Sequence, residues 1–178
     1  MKKIANKTKV LILQHPQEPG MTLGSASLAC DLLENCTLKI GLSWPNLQKV
    51  LGYGTKPGEW AVLYFGSGIK SGERSEFQFV SRKGNPMDAP EEPIRGLVVL
   101  DGTWSQAKTL WWRNAWLLKL KRIVLYPKTP SLYGKKRKEP KPECVSSIEA
   151  LALALGHLGL KKGEVESMHE AFGRFLEK

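Results

Sequence analysis

The chain has 178 residues, 42% of them hydrophobic and 25% charged, with a formal net charge of +10. That length and composition suit one globular domain with a real core, and no apolar run approaches the roughly 20 residues that cross a bilayer. The basic start Met1 to Lys7 leads into no apolar leader core, so the expected setting is the cytoplasm with no membrane partner.

In chain order, Lys9–Gln14 reads as a buried first strand, broken by His15-Pro16-Gln17-Glu18-Pro19-Gly20. Thr22 is placed to cap a helix carrying Leu23, Ala26, Leu28, Ala29, Leu32 and Leu33. A short strand over Thr37–Ile40 follows, then a short helix over Leu47–Leu51 opened by Trp44-Pro45-Asn46, then a glycine-rich loop over Gly52–Gly58. Trp60–Phe65 is a strong strand ended by Gly66-Ser67-Gly68, and Glu76–Ser81 alternates as a half-exposed strand. Asn85–Pro93 holds three prolines and reads as irregular. Leu97–Leu100 is a fourth buried strand, a tryptophan-rich helix spans Ser105–Leu118, and Arg122–Tyr126 is a further strand. Helices are expected over Ser147–Leu158 and Gly163–Leu176. Apolar strands alternating with helices predict a mainly parallel sheet flanked by helices.

Cys30, Cys36 and Cys144 form no Cys-x-x-Cys pair, so no metal site is expected, and Cys30 and Cys36 read as small buried hydrophobes. Between Lys119 and Lys141 stand nine basic residues and a single acid, Glu139, which leaves +8 of the +10 in this stretch. Its prolines mark a basic arm at about 127–143 whose Lys128, Lys135, Lys136, Arg137, Lys138 and Lys141 suit a phosphate backbone; a solvated basic loop is the plain alternative.

Four short blocks could carry chemistry. In Leu100-Asp101-Gly102-Thr103-Trp104, Thr103 is a natural helix cap, so one reading is a strand-to-helix turn. The other gives Asp101 a base or orienting role, uses the Gly102 and Thr103 backbone to hold a ligand, and sets Trp104 against a base or adenine. Ser146 and Glu149 have capping-box spacing, and a helix start with Ser146 and Ser147 also suits a carboxylate or phosphate. His15, after the first strand, is a loop residue or an RNA contact, and Leu63-Tyr64-Phe65-Gly66 could hug a flat ring through its backbone.

The order of these blocks, Gln14-His15-Pro16-x-Glu18, Leu63-Tyr64, Asp101-Gly102-Thr103-Trp104-x-x-Ala107 and Ser146-Ser147-Ile148-Glu149-Ala150, resembles the DTW-domain family. The resemblance covers roughly residues 10 to 160 and implies a tRNA-uridine aminocarboxypropyltransferase that uses S-adenosyl-L-methionine. It also implies a SPOUT-like fold with a C-terminal knot around the cofactor pocket, within a single DTW domain over 1–178. On that reading Asp101 is catalytic, and Leu63, Tyr64, Phe65, Gly66, Leu100, Gly102, Thr103, Trp104, Ser146 and Ser147 hold the cofactor. His15 and the arm cations hold tRNA, with rRNA left open. A SPOUT-type RNA methyltransferase and a non-catalytic RNA-binding protein remain the alternatives. Two departures stand out: no cysteine-rich stretch precedes Gln14, and Phe65-Gly66-Ser67-Gly68 replaces the Pro-Ser-x-x-Ala that many members have after Leu-Tyr.

Overall fold

The structure, a computed structural model, describes residues 2–17, 24–63, 75–126, 132 and 146–178. The expected cap Thr22, the loop from Tyr64 to Gly68 and the arm cations Lys128 to Lys141 lie outside the described residues.

In chain order the elements are β1 (Lys9–Gln14), α1 (Ala26–Leu32), β2 (Cys36–Ile40), α2 (Leu47–Leu51), β3 (Trp60–Leu63), β4 (Phe77–Val80) and β5 (Pro86–Met87). They continue with β6 (Gly96–Asp101), α3 (Trp104–Arg113), a 3₁₀ turn (Ala115–Lys119), β7 (Lys121–Leu125), α4 (Ser147–His157) and α5 (Lys162–Leu176). The seven strands form one mixed sheet in the order β2-β1-β6-β3-β7-β4-β5. The first five strands in that order pair in parallel, whereas β4 and β5 are antiparallel additions. The mainly parallel α/β sheet read from the sequence is therefore what forms.

Each central strand is apolar on both faces because helices cover both sides. Val10, Ile12, Ala61, Leu63, Leu97 and Val99 share a core with Ala29 of α1, Leu151 and Leu155 of α4, and Phe172 of α5. Their neighbours along the strands, Leu11, Leu13, Val62, Val98 and Leu100, share the opposite core with Leu47 and Val50 of α2 and Ala107 and Leu110 of α3. One glycine is fixed by this packing: a Cβ at Gly96 would lie 2.3 Å from the Trp60 ring across the β3–β6 pair.

Strand order makes a crevice. The chain leaves β1 for β2 towards one edge and leaves β6 for β7 towards the other. Crossovers of one hand that run in opposite directions place their helices on opposite faces; accordingly α1 joins the first core and α3 packs on the second. Adjacent strands β1 and β6 are thus the topological switch point, outside whose carboxyl ends open α/β sheets bind ligands.

Several local expectations are corrected. The tryptophan-rich helix stops at Arg113 because the Asn114 side chain intervenes: its amide donates to the Leu110 and Leu42 carbonyls and its oxygen accepts from the Trp44 N–H. Asn85–Pro93 holds the two-residue strand β5, tolerated because Pro86 sits on the sheet edge where a missing N–H costs little. Cys30 and Cys36 are half-buried and joined by a disulfide, with Cα atoms 5.0 Å apart across the α1–β2 turn, instead of packing as separate thiols.

Candidate functional site

β1 and β6 run in register to their last residues, so Gln14 lies beside Asp101. Both end an apolar run, and both are buried, at 5% and 3% exposure. A buried carboxylate is costly unless its oxygens are satisfied. Here Gln14 Nε2 donates to Asp101 Oδ2 at 2.9 Å, and the Ser147 hydroxyl donates to Oδ1. Main-chain bonds fix the frame: His15 N–H donates to the Asp101 carbonyl at 3.1 Å and Gly41 N–H to the Gln14 carbonyl at 3.1 Å. Asp101 therefore joins β1, β6 and the first residue of α4, three segments far apart in sequence.

The turn after Asp101 is built around Gly102. Its φ of +146° is one that side-chain-bearing residues rarely adopt. A Cβ there would also meet Gln106 Oε1 at 2.8 Å and the His15 Cβ at 3.4 Å. Close packing thus also requires glycine here, because the turn lies directly against the Gln106 and His15 side chains. Thr103 caps α3 as expected: Gln106 N–H donates to Thr103 Oγ1 at 3.2 Å, and Thr103 N–H donates to Gln106 Oε1 at 2.8 Å. Gln106 Nε2 reaches on to Gln17 Oε1 at 3.2 Å, which ties this turn to the loop after β1. His15 is held in that loop with Nδ1 accepting from Gln17 N–H at 3.3 Å. Trp104, half-buried, opens the helix beside the crevice, with Lys108 Nζ 5.5 Å from its ring centroid.

α4 supplies the second side of the site. Ser146 and Glu149 form the anticipated capping box, with Glu149 N–H donating to Ser146 Oγ at 3.2 Å and Ser146 Oγ donating to Glu149 Oε1 at 2.9 Å. The hydroxyl protons of Ser146 and Ser147 are therefore both directed at protein carboxylates. Ser146 is buried and Ser147 half-buried, so Ser147 is the serine of this pair that a ligand can approach. Glu149 Oε2 accepts from the Leu132 N–H at 3.0 Å, which anchors one described residue of the basic segment beside the start of α4.

Of the residues singled out from the sequence, His15, Leu100, Asp101, Gly102, Thr103, Trp104, Ser146 and Ser147 gather where β1, β6, α3 and α4 meet. Leu63 ends β3, the strand on the other side of β6, with its side chain in the core. Tyr64, Phe65, Gly66 and the arm cations lie outside the described residues. Gln14 and Ser25 are additions. Gln14 could have been singled out as a polar residue ending an apolar strand. Ser25 accepts from the Ile148 N–H at 3.2 Å and so locks α1 to the first turn of α4, a contact over 123 residues that no local pattern announces. Among the described residues, no three His, Cys, Asp or Glu side chains converge as a metal site would require, and no helix is long and apolar enough to cross a membrane.

The chain matches the DTW domain over residues 1–178. It is 30% identical over 154 residues to tRNA-uridine aminocarboxypropyltransferase 2 of Mus musculus, a match covering 85% of this chain and 48% of the relative. It is 31% identical over 158 residues to the protein of the same name from Macaca fascicularis, with the same shares covered. The chain thus spans about half the length of these curated relatives. No solved structure matches it. On these grounds, the chain belongs to the DTW-domain family.

Proposed function

We propose that this chain transfers the 3-amino-3-carboxypropyl group of S-adenosyl-L-methionine to N3 of a uridine in tRNA, as a single cytoplasmic DTW domain with a basic arm. The observation that carries the reading is the junction at Asp101, a buried carboxylate at the switch point of the sheet held by Gln14 and by Ser147. The relatives' names supply the reaction class and the RNA. A SPOUT-like knot belongs to the same proposal, supported by α4 starting against the tip of β6.

The donor would meet backbone alone at Gly102, whose turn is packed against Gln106 and His15. The backbone of Leu63 to Gly66 and of Leu100 to Thr103, with Trp104 as a wall, would hold it. When bound, the donor supplies an electrophilic γ-carbon on a sulfur that departs with its electron pair as methylthioadenosine.

The protein's own part is the proton and the alignment. Uridine N3–H is a weak acid and must lose its proton as the N3–carbon bond forms. Asp101 is buried, and the half-buried Ser147 donates its hydroxyl to one carboxylate oxygen. The Ser147 oxygen accepts the N3 proton while its own hydroxyl proton passes to Asp101 Oδ1, so Asp101 is the base and Ser147 the relay. Gln14 keeps the carboxylate oriented through Oδ2. Holding the uridine in line with the donor's carbon and sulfur supplies the remaining rate. His15, Lys128, Lys135, Lys136, Arg137, Lys138 and Lys141 would position tRNA through its phosphates.

The test uses tRNA and S-adenosyl-L-methionine labelled in either the carboxyl or the methyl group. Carboxyl label entering RNA supports the proposal. Methyl label entering RNA instead would make the chain a methyltransferase, and label from neither donor would leave an RNA-binding protein.

A further inference from the structure

α3 has a solvent face that the proposed reaction leaves unused. Ala107 and Leu110 turn into the core, and Asn114 ties the helix end to the loop before α2. On the other side Trp112 stands 80% exposed, well above any other exposed large hydrophobic among the described residues, of which Ile40 is next at 54%. Trp104, Lys108 and Trp112 are spaced i, i+4 and i+8, so they run as one row along the helix. The row begins at the Asp101 crevice and ends about 12 Å away at 1.5 Å of rise per residue.

A single exposed apolar residue is ordinary on a protein surface. The company of this one is not that of a self-association surface. Its neighbours one turn back are the exposed Lys108 and the half-buried Thr109, and the next residue is the exposed Arg113. Aromatic rings interleaved with cations on a rigid support are what a single-stranded nucleic acid uses: the cations take phosphates, and the rings take bases in a sequence-tolerant way. Among the described residues, this face of α3 carries no broad apolar patch of the kind another protein surface would want.

We infer that the outer part of the α3 row, Lys108 and Trp112 beyond the donor-pocket wall Trp104, is a stacking platform for an unpaired base of the RNA substrate, with Trp112 as the ring. This rests on the reading that the polyanion is RNA and that the reacting uridine sits at Asp101. At about 3.4 Å per stacked nucleotide, Trp112 meets a base some three to four nucleotides from that uridine.

The experiment measures binding of the whole chain to a fluorescently labelled oligouridylate and to an abasic strand with the same number of phosphates, by anisotropy across a salt series. Trp112→Ala weakens oligouridylate binding about tenfold, leaves the salt slope unchanged and leaves abasic-strand binding unchanged, because stacking involves bases and not phosphates. Trp112→Phe stays within about threefold of wild type, since it keeps a ring to stack on. Because Trp112 is exposed, both variants keep the wild-type melting temperature.

Equal binding of oligouridylate by wild type and Trp112→Ala overturns the inference. So does an equal loss on both strands, which would make the residue structural. A change in sedimentation with unaltered RNA affinity would assign the face to a second copy of the chain. Wild type that binds neither strand sinks the inference and the RNA reading together. Intact stacking without aminocarboxypropyl transfer sinks only the proposed reaction.

Discussion

Replacing Asp101 separates its chemical role from its structural one. Asp101→Ala removes the acceptor for Gln14 Nε2 and for the Ser147 hydroxyl at once. Each buried polar group left without a partner costs about 1–3 kcal/mol, discounted at Ser147, which is only half-buried. A loss of about 2–5 kcal/mol follows, out of a total stability of roughly 5–15 kcal/mol. At about 2–4 °C per kcal/mol for a chain of this size, the melting temperature falls by roughly 4–20 °C. Asp101→Asn keeps the shape, and a turn of the Gln14 amide lets it accept from the new side-chain N–H. The cost is then the difference between charged and neutral hydrogen bonds, about 1 kcal/mol, and melting shifts by a few degrees.

Catalysis should respond in the opposite proportion. A positioned base contributes about 10²–10⁴-fold, so Asp101→Asn should lose that factor in transfer to tRNA while binding S-adenosyl-L-methionine within about tenfold of wild type. The assays are thermal melting, donor binding by calorimetry and single-turnover transfer of carboxyl label. Asp101→Asn turnover within a few-fold of wild type would refute the base assignment. An Asn variant as unstable as the Ala variant would show that the carboxylate serves only to join β1, β6 and α4.

Ser147→Ala should slow single-turnover transfer by about 10²-fold, the low end for a lost proton-transfer group, with Ser147→Cys recovering part of it; an unchanged rate would remove the relay. Gly102→Ala should destabilise the chain by about 1–3 kcal/mol through its positive φ and should weaken donor binding, read by melting and calorimetry; wild-type values for both would take this turn out of the site. Changing Lys135, Lys136, Arg137 and Lys138 together to Ala should weaken tRNA binding and lower the slope of log affinity against log salt by up to about 3–4, at 0.7–0.9 per phosphate contact. An unchanged slope would take the arm out of the interface.

Much of the fold was legible where burial forces a local pattern. β1, β3 and β6 are uninterrupted apolar runs because both faces of each strand are covered, and α2, α3 and α4 start at residues whose caps are local. The strands ending at Gln14, Leu63 and Asp101 are neighbours in the sheet, an order that their own residues do not set. What stayed hidden depends on partners distant in the chain. Asn114 ends α3 by reaching Leu42 and Trp44, 72 and 70 residues away, and nothing in the helix's own apolar spacing marks that break. The Ser147 contact to Asp101 spans 46 residues, and from sequence alone Ser147 reads as part of a helix start that suits a carboxylate or phosphate. The cysteine pair escaped because its spacing fits no metal motif and one member lies within a helix.

The most direct measurement is the nucleoside content of tRNA after incubation with the wild-type chain and S-adenosyl-L-methionine, with released methylthioadenosine counted in the same reaction. The account predicts uridine carrying an aminocarboxypropyl group on N3, formed one for one with methylthioadenosine and lost in Asp101→Asn. Methylated nucleosides accompanied by S-adenosylhomocysteine, or aminocarboxypropyl uridine formed equally well by Asp101→Asn, would contradict it.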